Sequence, residues 1–332
     1  MHKVLVIGAG SIGERHIRCF RHSKRAAVSV CEIDNRVRGK IESDYAICNS
    51  DSSLSTALSS KPDAVVVATP AHLHVPMALD AARAGCHVLI EEPLATSLEG
   101  IDALNEFVAD RQIVRVAYVF RHHPAIATVK ASIDQGSWGK PLQLTVQSGQ
   151  HFPTYRPAYR EIYYASHETG GGAIQDGLTH FLDVGQWWLG PIGSLVGDAS
   201  HLRLDGVDVE DTVSVLARHG SVMANYHFNQ HQFPNEATLT LTCEQATVRV
   251  ELTKNKLLVM KEPASEWDQC SSADVERDDV FVNQANAFLD EIEGKQTCSC
   301  TPEEALQTLR CQLALLEDFK NNDRTKWHRI HE

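Results

Sequence analysis

The stretch Lys3-Val4-Leu5-Val6-Ile7-Gly8-Ala9-Gly10-Ser11-Ile12-Gly13 decides the fold. Lys3 to Ile7 is a short apolar strand, and Ile12 to His22 carries a helical period. Between them Gly8, Gly10 and Gly13 form a G-x-G-x-x-G run. Alone such a run is weak evidence; after a strand and opening a helix it has the context of a dinucleotide fingerprint. Gly8 makes the turn, Gly10 lets backbone approach a pyrophosphate, and Gly13 lets the helix pack closely on the strand. Ser11 and Ile12 open a helix whose N-terminal amides favour phosphate.

The second strand, Ala27 to Ile33, carries Glu32 near its end, 19 residues after Gly13. That matches the spacing of about 20 at which a carboxylate accepts hydrogen bonds from a ribose 2′-OH. The same carboxylate repels a 2′-phosphate, so the expected cofactor is NAD rather than NADP. Asp34 competes for the role, and Arg36 and Arg38 just beyond keep NADP open. Further strands are expected at Ala64 to Ala68, His87 to Ile90 and Ile113 to Val119. They are apolar without polar alternation, as in parallel strands covered on both faces. A helix from His74 to Ala84 closes on Gly85. Thr96 and Glu99 are placed as a capping box for a helix running to Ala109. Repeated βα units imply a doubly wound parallel sheet.

After Arg121 the period changes. A helix follows Pro124 and ends near Gly136. Alternating segments then dominate at Leu142 to Gln150, Ser194 to Leu204, Thr212 to Asn229 and Ala237 to Lys261, with a hairpin turn at His219-Gly220. A helix from Ala173 to Leu189 interrupts them. The last of two closing helices starts at Thr301 as N-cap, with Pro302 at the first position and Glu304 at N3. The expected class is α/β: a Rossmann domain over 1–121, then an α+β domain over 122–332 with a large open, mainly antiparallel sheet.

The 332 residues carry a formal net charge of −12, which excludes a basic nucleic-acid groove. No segment approaches about 20 unbroken apolar residues, so no membrane span is expected. The N-terminus lacks the apolar core of a signal peptide. The 9 cysteines fall mostly inside regular elements, as expected for a reducing cytoplasm. Cys298 and Cys300 stand too isolated for a zinc site, which wants four ligands.

Four further segments carry a resemblance. They are Ala68-Thr69-Pro70-Ala71-His72, Ile90-Glu91-Glu92-Pro93-Leu94-Ala95, Arg121-His122-His123-Pro124 and Gly170-Gly171-Gly172-Ala173-Ile174-Gln175-Asp176-Gly177-Leu178-Thr179-His180. In this order, behind the opening fingerprint, they resemble the Gfo/Idh/MocA family of oxidoreductases over nearly the whole chain. The resemblance implies an NAD(P)-dependent enzyme acting on a sugar, cyclitol or sugar derivative. It also implies a homodimer or homotetramer assembled through the C-terminal sheet. Asp176 and His180 match its substrate-binding and acid–base positions. Thr69, Pro70 and His72 match the loop bordering the cofactor. Glu91 and Pro93 match its Glu-Lys-Pro motif, whose catalytic lysine is replaced here by Glu92. Tyr155 to Tyr164, with Arg156, Tyr159, Arg160, Tyr163 and Tyr164, resembles a substrate loop. Arg121, His122 and Thr179 are further candidates for substrate contact.

The residues support a site without the family. Asp176 and His180 are four apart on an expected helix and so share a face, continued by Asp183 and Trp187. A carboxylate beside a histidine can fix its tautomer and raise its basicity. That pairing suits proton removal from a hydroxyl as hydride leaves the same carbon. A metal reading would use Asp176, His180 and the His122-His123 pair; none is expected. Two other functions stay open because of Glu92. One is a redox-neutral, NAD-retaining enzyme of the glycosidase or elimination type. The other is a non-catalytic dinucleotide or sugar sensor.

Overall fold

In the computed structural model the described residues are 1–109, 112–261, 266–271, 275–295, 299–322 and 326–330. They divide into two compact units. The first holds Met1–His122 and Glu276–Leu306. Its strands are β1 (His2–Ile7), β2 (Ala26–Cys31), β3 (Ser50–Asp51), β4 (Ala64–Val67), β5 (His87–Ile90) and β6 (Val114–Val116). Helices α1 (Ser11–His22), α2 (Asn35–Asp44), α3 (Leu54–Ser59), α4 (His74–Arg83) and α5 (Ile101–Ala109) connect them. All pairings are parallel, in the order β3-β2-β1-β4-β5-β6. This is the doubly wound order, with its switch point between β1 and β4. Val65, Val66 and Val67 are wholly buried, which is why β4 shows no polar alternation.

The second unit holds His123–Val275 and Gln307–Glu332. It contains α6 (Pro124–Asp134), β7 (Pro141–His151), α7 (Phe152–Tyr155), α8 (Thr179–Leu189), β8 (Ser194–Ser200), β9 (Thr212–His219) and β10 (Val222–Asn229). It continues with β11 (His231–Cys243), β12 (Thr247–Glu251), β13 (Lys256–Met260) and β14 (Asp268–Ser271). The chain then passes through α9 (Arg277–Ile292) and α10 (Pro302–Asn321) to β15 (His328–Arg329). The sheet runs β14-β13-β12-β11-β7-β10-β9-β8-β15. It is mainly antiparallel, with one departure: β7 and β10 pair in parallel. Gly220, at φ +59°, turns the β9–β10 hairpin as the His219-Gly220 dipeptide implies.

Three expectations change here. The second domain is not the uninterrupted 122–332, because Glu276–Leu306 groups with the first unit. Ala285, Phe288 and Leu289 of α9 share a core with Ile17 and Phe20 of α1, and Asp278 pairs with Arg15 and Arg18. Thr96 does not start a helix: α5 begins at Ile101, after Gly100 at φ +78°. The Glu99 N–H is instead turned to the Ser97 hydroxyl at 3.4 Å. The strand expected over 113–119 stops at Val116, and a 3-10 turn, Val119–His122, follows. The box at Thr301 forms as its spacing implies: the Thr301 N–H donates to Glu304 Oε2 at 2.9 Å, and the Glu304 N–H to Thr301 Oγ1 at 3.2 Å. Among the described residues no helix is long and apolar enough to cross a membrane. Cys298 lies outside the described residues.

Candidate functional site

The three fingerprint glycines serve different needs. Gly8 has φ +84°, and a Cβ there would lie 2.7 Å from the Ala68 carbonyl oxygen. A Cβ on Gly13 would lie 1.9 Å from the Gly8 carbonyl oxygen, so this glycine lets α1 sit against β1. At Gly10 a Cβ would meet nothing within 4 Å. The chain itself does not require that glycine. The open space beside it, at a helix start with no side-chain cap, is where a pyrophosphate fits. Ser11, next along, is exposed and Ile12 half-buried.

Glu32 lies across this loop. The Ala9 N–H donates to its Oε2 at 2.7 Å and the Asp34 N–H to its Oε1 at 2.8 Å. The competing Asp34 caps α2, accepting from the backbone N–H groups of Val37 and Arg36. Those two bonds hold its carboxyl below the ordinary range. Arg38 donates to the Glu32 carbonyl at 2.8 Å and to Asn35 Oδ1 at 2.6 Å. Glu32, not Asp34, is thus the acid facing the glycine loop.

The loops after β4 and β5 are tied together from inside. His74 is buried, with ring nitrogens 2.7 Å from the Thr69 carbonyl and 2.8 Å from the Pro93 carbonyl. Only a doubly protonated ring donates to both. Burial opposes that charge and outweighs the two carbonyls, so the pKa stays below its ordinary value and the neutral ring donates to one carbonyl at a time. Pro70 and His72 are exposed beside this tie, and Thr69 is half-buried. Glu91, expected to meet the cofactor, instead turns inward. Its Oε1 meets His16 Nε2 of α1 in a buried pair, and its Oε2 accepts from the Glu92 N–H at 3.3 Å. Glu92 itself is half-buried.

Two candidate substrate residues of this unit are interior. Arg121 is 2% exposed and donates to Glu304 Oε1 at 3.0 Å. Burial pushes the Glu304 carboxyl up, but the Arg121 charge and the Thr301 bonds outweigh it and hold it low. Burial, then the neighbouring Arg121, lowers the His122 pKa to about 4. Arg121 and His122 are both buried.

In the second unit Asp176 and His180 are both half-buried. The expected uniform helix differs: Ile174–Leu178 is a π-turn, and the α-helix starts at Thr179. Such wide turns are frequent at functional sites. A Cβ on Gly177 would lie 2.0 Å from Phe228 Cζ, so the turn brings its backbone against β10. Asp176 is anchored on both oxygens. The Tyr163 hydroxyl donates to Oδ1 at 2.6 Å, and Gln230 Nε2 donates to Oδ2 at 3.1 Å. The Tyr164 hydroxyl donates in turn to Gln230 Oε1, and burial, followed by the Asp176 charge, keeps that phenol protonated. The glycine-rich loop is locked by Glu210, wholly buried, which accepts from the Ile174 N–H at 2.8 Å and bonds His167.

Other expected residues are interior. Tyr159 is 1% exposed, packs on Phe152 and Tyr164, and donates to the Asp205 carbonyl at 2.7 Å. Thr179 and Asp183 are buried, so the stripe from Asp176 through Asp183 is no solvent face. His16, Gln230, Glu210 and His167 were not legible as site groups. Each meets a partner at least 43 positions away, and no local spacing announces that.

A parallel sheet in this order, with a glycine turn and an acid at the end of its second strand, defines a dinucleotide-binding protein. Residues 2–118 match the oxidoreductase family with an NAD-binding Rossmann fold, and residues 126–249 match the GFO/IDH/MocA C-terminal domain. The chain belongs to the Gfo/Idh/MocA family of oxidoreductases. It is 33% identical over 135 residues to a levoglucosan dehydrogenase of Pseudarthrobacter phenanthrenivorans, covering 40% of this chain and 34% of that protein. It is 32% identical over 195 residues to an inositol 2-dehydrogenase of Pseudomonas syringae pv. syringae, covering 56% of this chain and 54% of that one. The chain thus spans about half the length of the curated relatives it matches. Its fold superposes on levoglucosan dehydrogenase in complex with NADH and levoglucosan, with a TM-score of 0.88 and 20% identity over 100% of both chains. The WlbA dehydrogenase from Bordetella pertussis, in complex with NADH and UDP-GlcNAcA, gives 0.81 and 24% identity over 99% of this chain and 97% of that one.

Proposed function

We propose that this chain is an NAD(H)-dependent dehydrogenase of a secondary hydroxyl on a sugar, cyclitol or sugar derivative. The observation that carries the cofactor choice is Glu32, whose carboxylate lies 2.7 Å from the Ala9 N–H of the glycine loop. It accepts from a ribose 2′-OH and repels a 2′-phosphate. NAD supplies the hydride acceptor at nicotinamide C4 when bound. Gly10 leaves the pyrophosphate its room, and the α1 N-terminus stabilises its charge. His180 takes the proton from the substrate hydroxyl during oxidation and returns it during reduction. Asp176, fixed by Tyr163 and Gln230, supplies a carboxylate one turn before His180, and the exposed edge of Tyr163 makes it a substrate contact. The buried thiols Cys19, Cys86 and Cys311, whose pKa values burial raises, suit a reducing cytoplasm.

Calorimetric titration with NADH and NADPH, followed by a panel of sugars and inositols with NAD, tests this reading. Tighter NADH binding is expected, with growth of the reduced-nicotinamide absorbance that is slow for simple sugars and inositols. Preference for NADPH overturns the cofactor assignment. His180→Ala should lower turnover by roughly 10²–10⁴ with NADH affinity unchanged; a variant that keeps full turnover overturns the acid–base role.

Glu92 favours a second reading, a redox-neutral enzyme that retains NAD or a sensor that turns nothing over. Protein that purifies with tightly held NAD and gives no net reduction with any panel member supports it.

A further inference from the structure

Glu32 marks the end of β2 as the adenosine side of the dinucleotide site. In the order β3-β2-β1-β4-β5-β6, a dinucleotide crossing the switch point then carries its nicotinamide half toward the ends of β4 and β5. Those ends are Thr69 and the run Glu91-Glu92-Pro93. Residue 92 is gripped on both sides. Before it, Glu91 is pinned to His16 in the middle of α1, and the free oxygen of that carboxylate takes the Glu92 N–H at 3.3 Å. After it, the Pro93 carbonyl meets His74 at 2.8 Å, and the same ring meets the Thr69 carbonyl at 2.7 Å. His16 and His74 are each 1% exposed, and Glu91 is 5% exposed. His16 is boxed by Phe20 and, edge-on, by Phe281 of α9.

A buried carboxylate and two buried imidazoles are costly unless their bonds are made. Simple packing would be served as well by apolar groups, since well-packed hydrophobic replacements of a buried pair are often neutral or stabilising. What the polar set provides is direction: the Glu91 carboxylate takes the Glu92 N–H, and the His74 ring sits between the Thr69 carbonyl of one loop and the Pro93 carbonyl of the other.

We propose that His16, Glu91 and His74 form a positioning brace that sets the backbone of residue 92 and of Thr69 for the nicotinamide half of the dinucleotide. It rests on the NAD reading above. Glu91 and His16 act through residue 92 rather than by touching the cofactor, and they link that residue to the helix that receives the pyrophosphate.

The test compares NADH with ADP-ribose, which keeps the adenosine and pyrophosphate but lacks nicotinamide. Both affinities are measured by calorimetry on the full-length protein, with urea midpoints in parallel. His16→Leu and Glu91→Leu should each weaken NADH by about tenfold while ADP-ribose changes less than about twofold. The double variant should lose no more than either single one, because the pair acts as a unit. His16→Gln, which keeps an amide donor within reach of Glu91, should recover most of the NADH affinity at whatever midpoint it shows. His74→Leu should give the same split between the two ligands. Equal losses of both ligands, or unchanged NADH affinity, overturn the brace. Failure of the wild type to bind either ligand overturns the NAD reading instead. If the leucine variants do not fold, the comparison of His16→Gln with Glu91→Gln decides. Glu91→Gln keeps the shape but loses the charge-assisted bond, and it should show the same NADH-specific loss.

Discussion

At the scale of the residue, Glu92 stands where the resemblance to the family's Glu-Lys-Pro motif implies a lysine. A lysine ammonium beside the reacting hydroxyl stabilises negative charge as it develops; a carboxylate reverses the sign. Two unit charges 4 Å apart at an effective dielectric of 20 interact by about 4 kcal/mol, enough to change a rate by several hundredfold. Oxidation of simple sugars and inositols by the wild type is therefore expected to be weak although NADH binds. Glu92→Lys should raise it. Glu92→Gln separates two cases: a gain in turnover marks the charge as inhibitory, and a large loss marks Glu92 as an acid–base group. Turnover that is strong and indifferent to both changes would show that residue 92 does not face the chemistry. Glu32 stands out in the sequence because its spacing from the glycine turn carries its meaning; Glu92 and Asp176 stand out only through the resemblance of their runs to the family. His16 and Gln230 were not legible, since a helix-buried histidine and a glutamine at the β10–β11 junction look ordinary until their distant partners are known.

At the scale of the element, two glycines of the site separate packing from ligand space. Gly177 sits in the π-turn against Phe228, which is 4% exposed and packed beside Phe181. Gly177→Ala should cost about 1–3 kcal/mol by overpacking, seen as a lower urea midpoint. Gly10→Ala should leave the midpoint nearly unchanged, because nothing of the chain lies near its Cβ. It should still weaken NADH, whose pyrophosphate would meet the new methyl; unaltered affinity would show that the dinucleotide does not cross there. The π-turn was not legible, because Ile174 to Leu189 reads as one helical period and the insertion is set by contact with β10. The β9–β10 hairpin adds a pH dependence. Burial lowers the His219 pKa to about 4, although its ring bonds the Gly190 carbonyl and the Tyr226 hydroxyl, each at 2.7 Å. From the ordinary histidine value of 6.5 down to about 4, the unfolded chain holds a proton here that the native one does not. Stability is therefore full above that window and falls as pH falls through it, by up to about 3 kcal/mol for this group at 1.36 kcal/mol per unit. His122 adds in the same sense. Urea midpoints from pH 7 to 4.5 should fall less steeply in His219→Gln than in the wild type; parallel slopes would reject the assignment.

At the scale of the whole molecule, the two-part class was legible because the hydrophobic period changes from buried βα units to long alternation near Arg121. The interleaving was not, because the groups of α9 that return it to α1 carry an ordinary amphipathic pattern. The alternation has a further consequence. On β9, β10 and β7 one set of residues is buried: Val213, Val215 and Ala217; Ala224, Tyr226 and Phe228; Leu144 and Val146. Their neighbours form the other face, where Leu216 is 55% and Met223 52% exposed. Register pairing places Leu216 beside Asn225 and Met223 between Arg218 and Gln143 on that face. Four of the polar groups there bond one another. The Thr145 hydroxyl donates to Asn225 Oδ1 at 2.9 Å, the Asn225 amide to His227 Nε2 at 3.3 Å, and His227 Nδ1 meets the Ser214 hydroxyl at 3.0 Å. A face of exposed apolar groups and internally bonded polar ones can be covered without stranding donors. By resemblance to the family, the cover expected is a second copy of this chain. Light scattering at micromolar concentration should report a dimer or tetramer for the wild type. Leu216→Glu with Met223→Glu should shift it to monomer, because burying unpartnered carboxylates costs several kcal/mol. NADH affinity should stay unchanged, since neither residue belongs to the nucleotide site. A monomeric wild type, or a double variant that keeps its full mass, would place the assembly surface elsewhere.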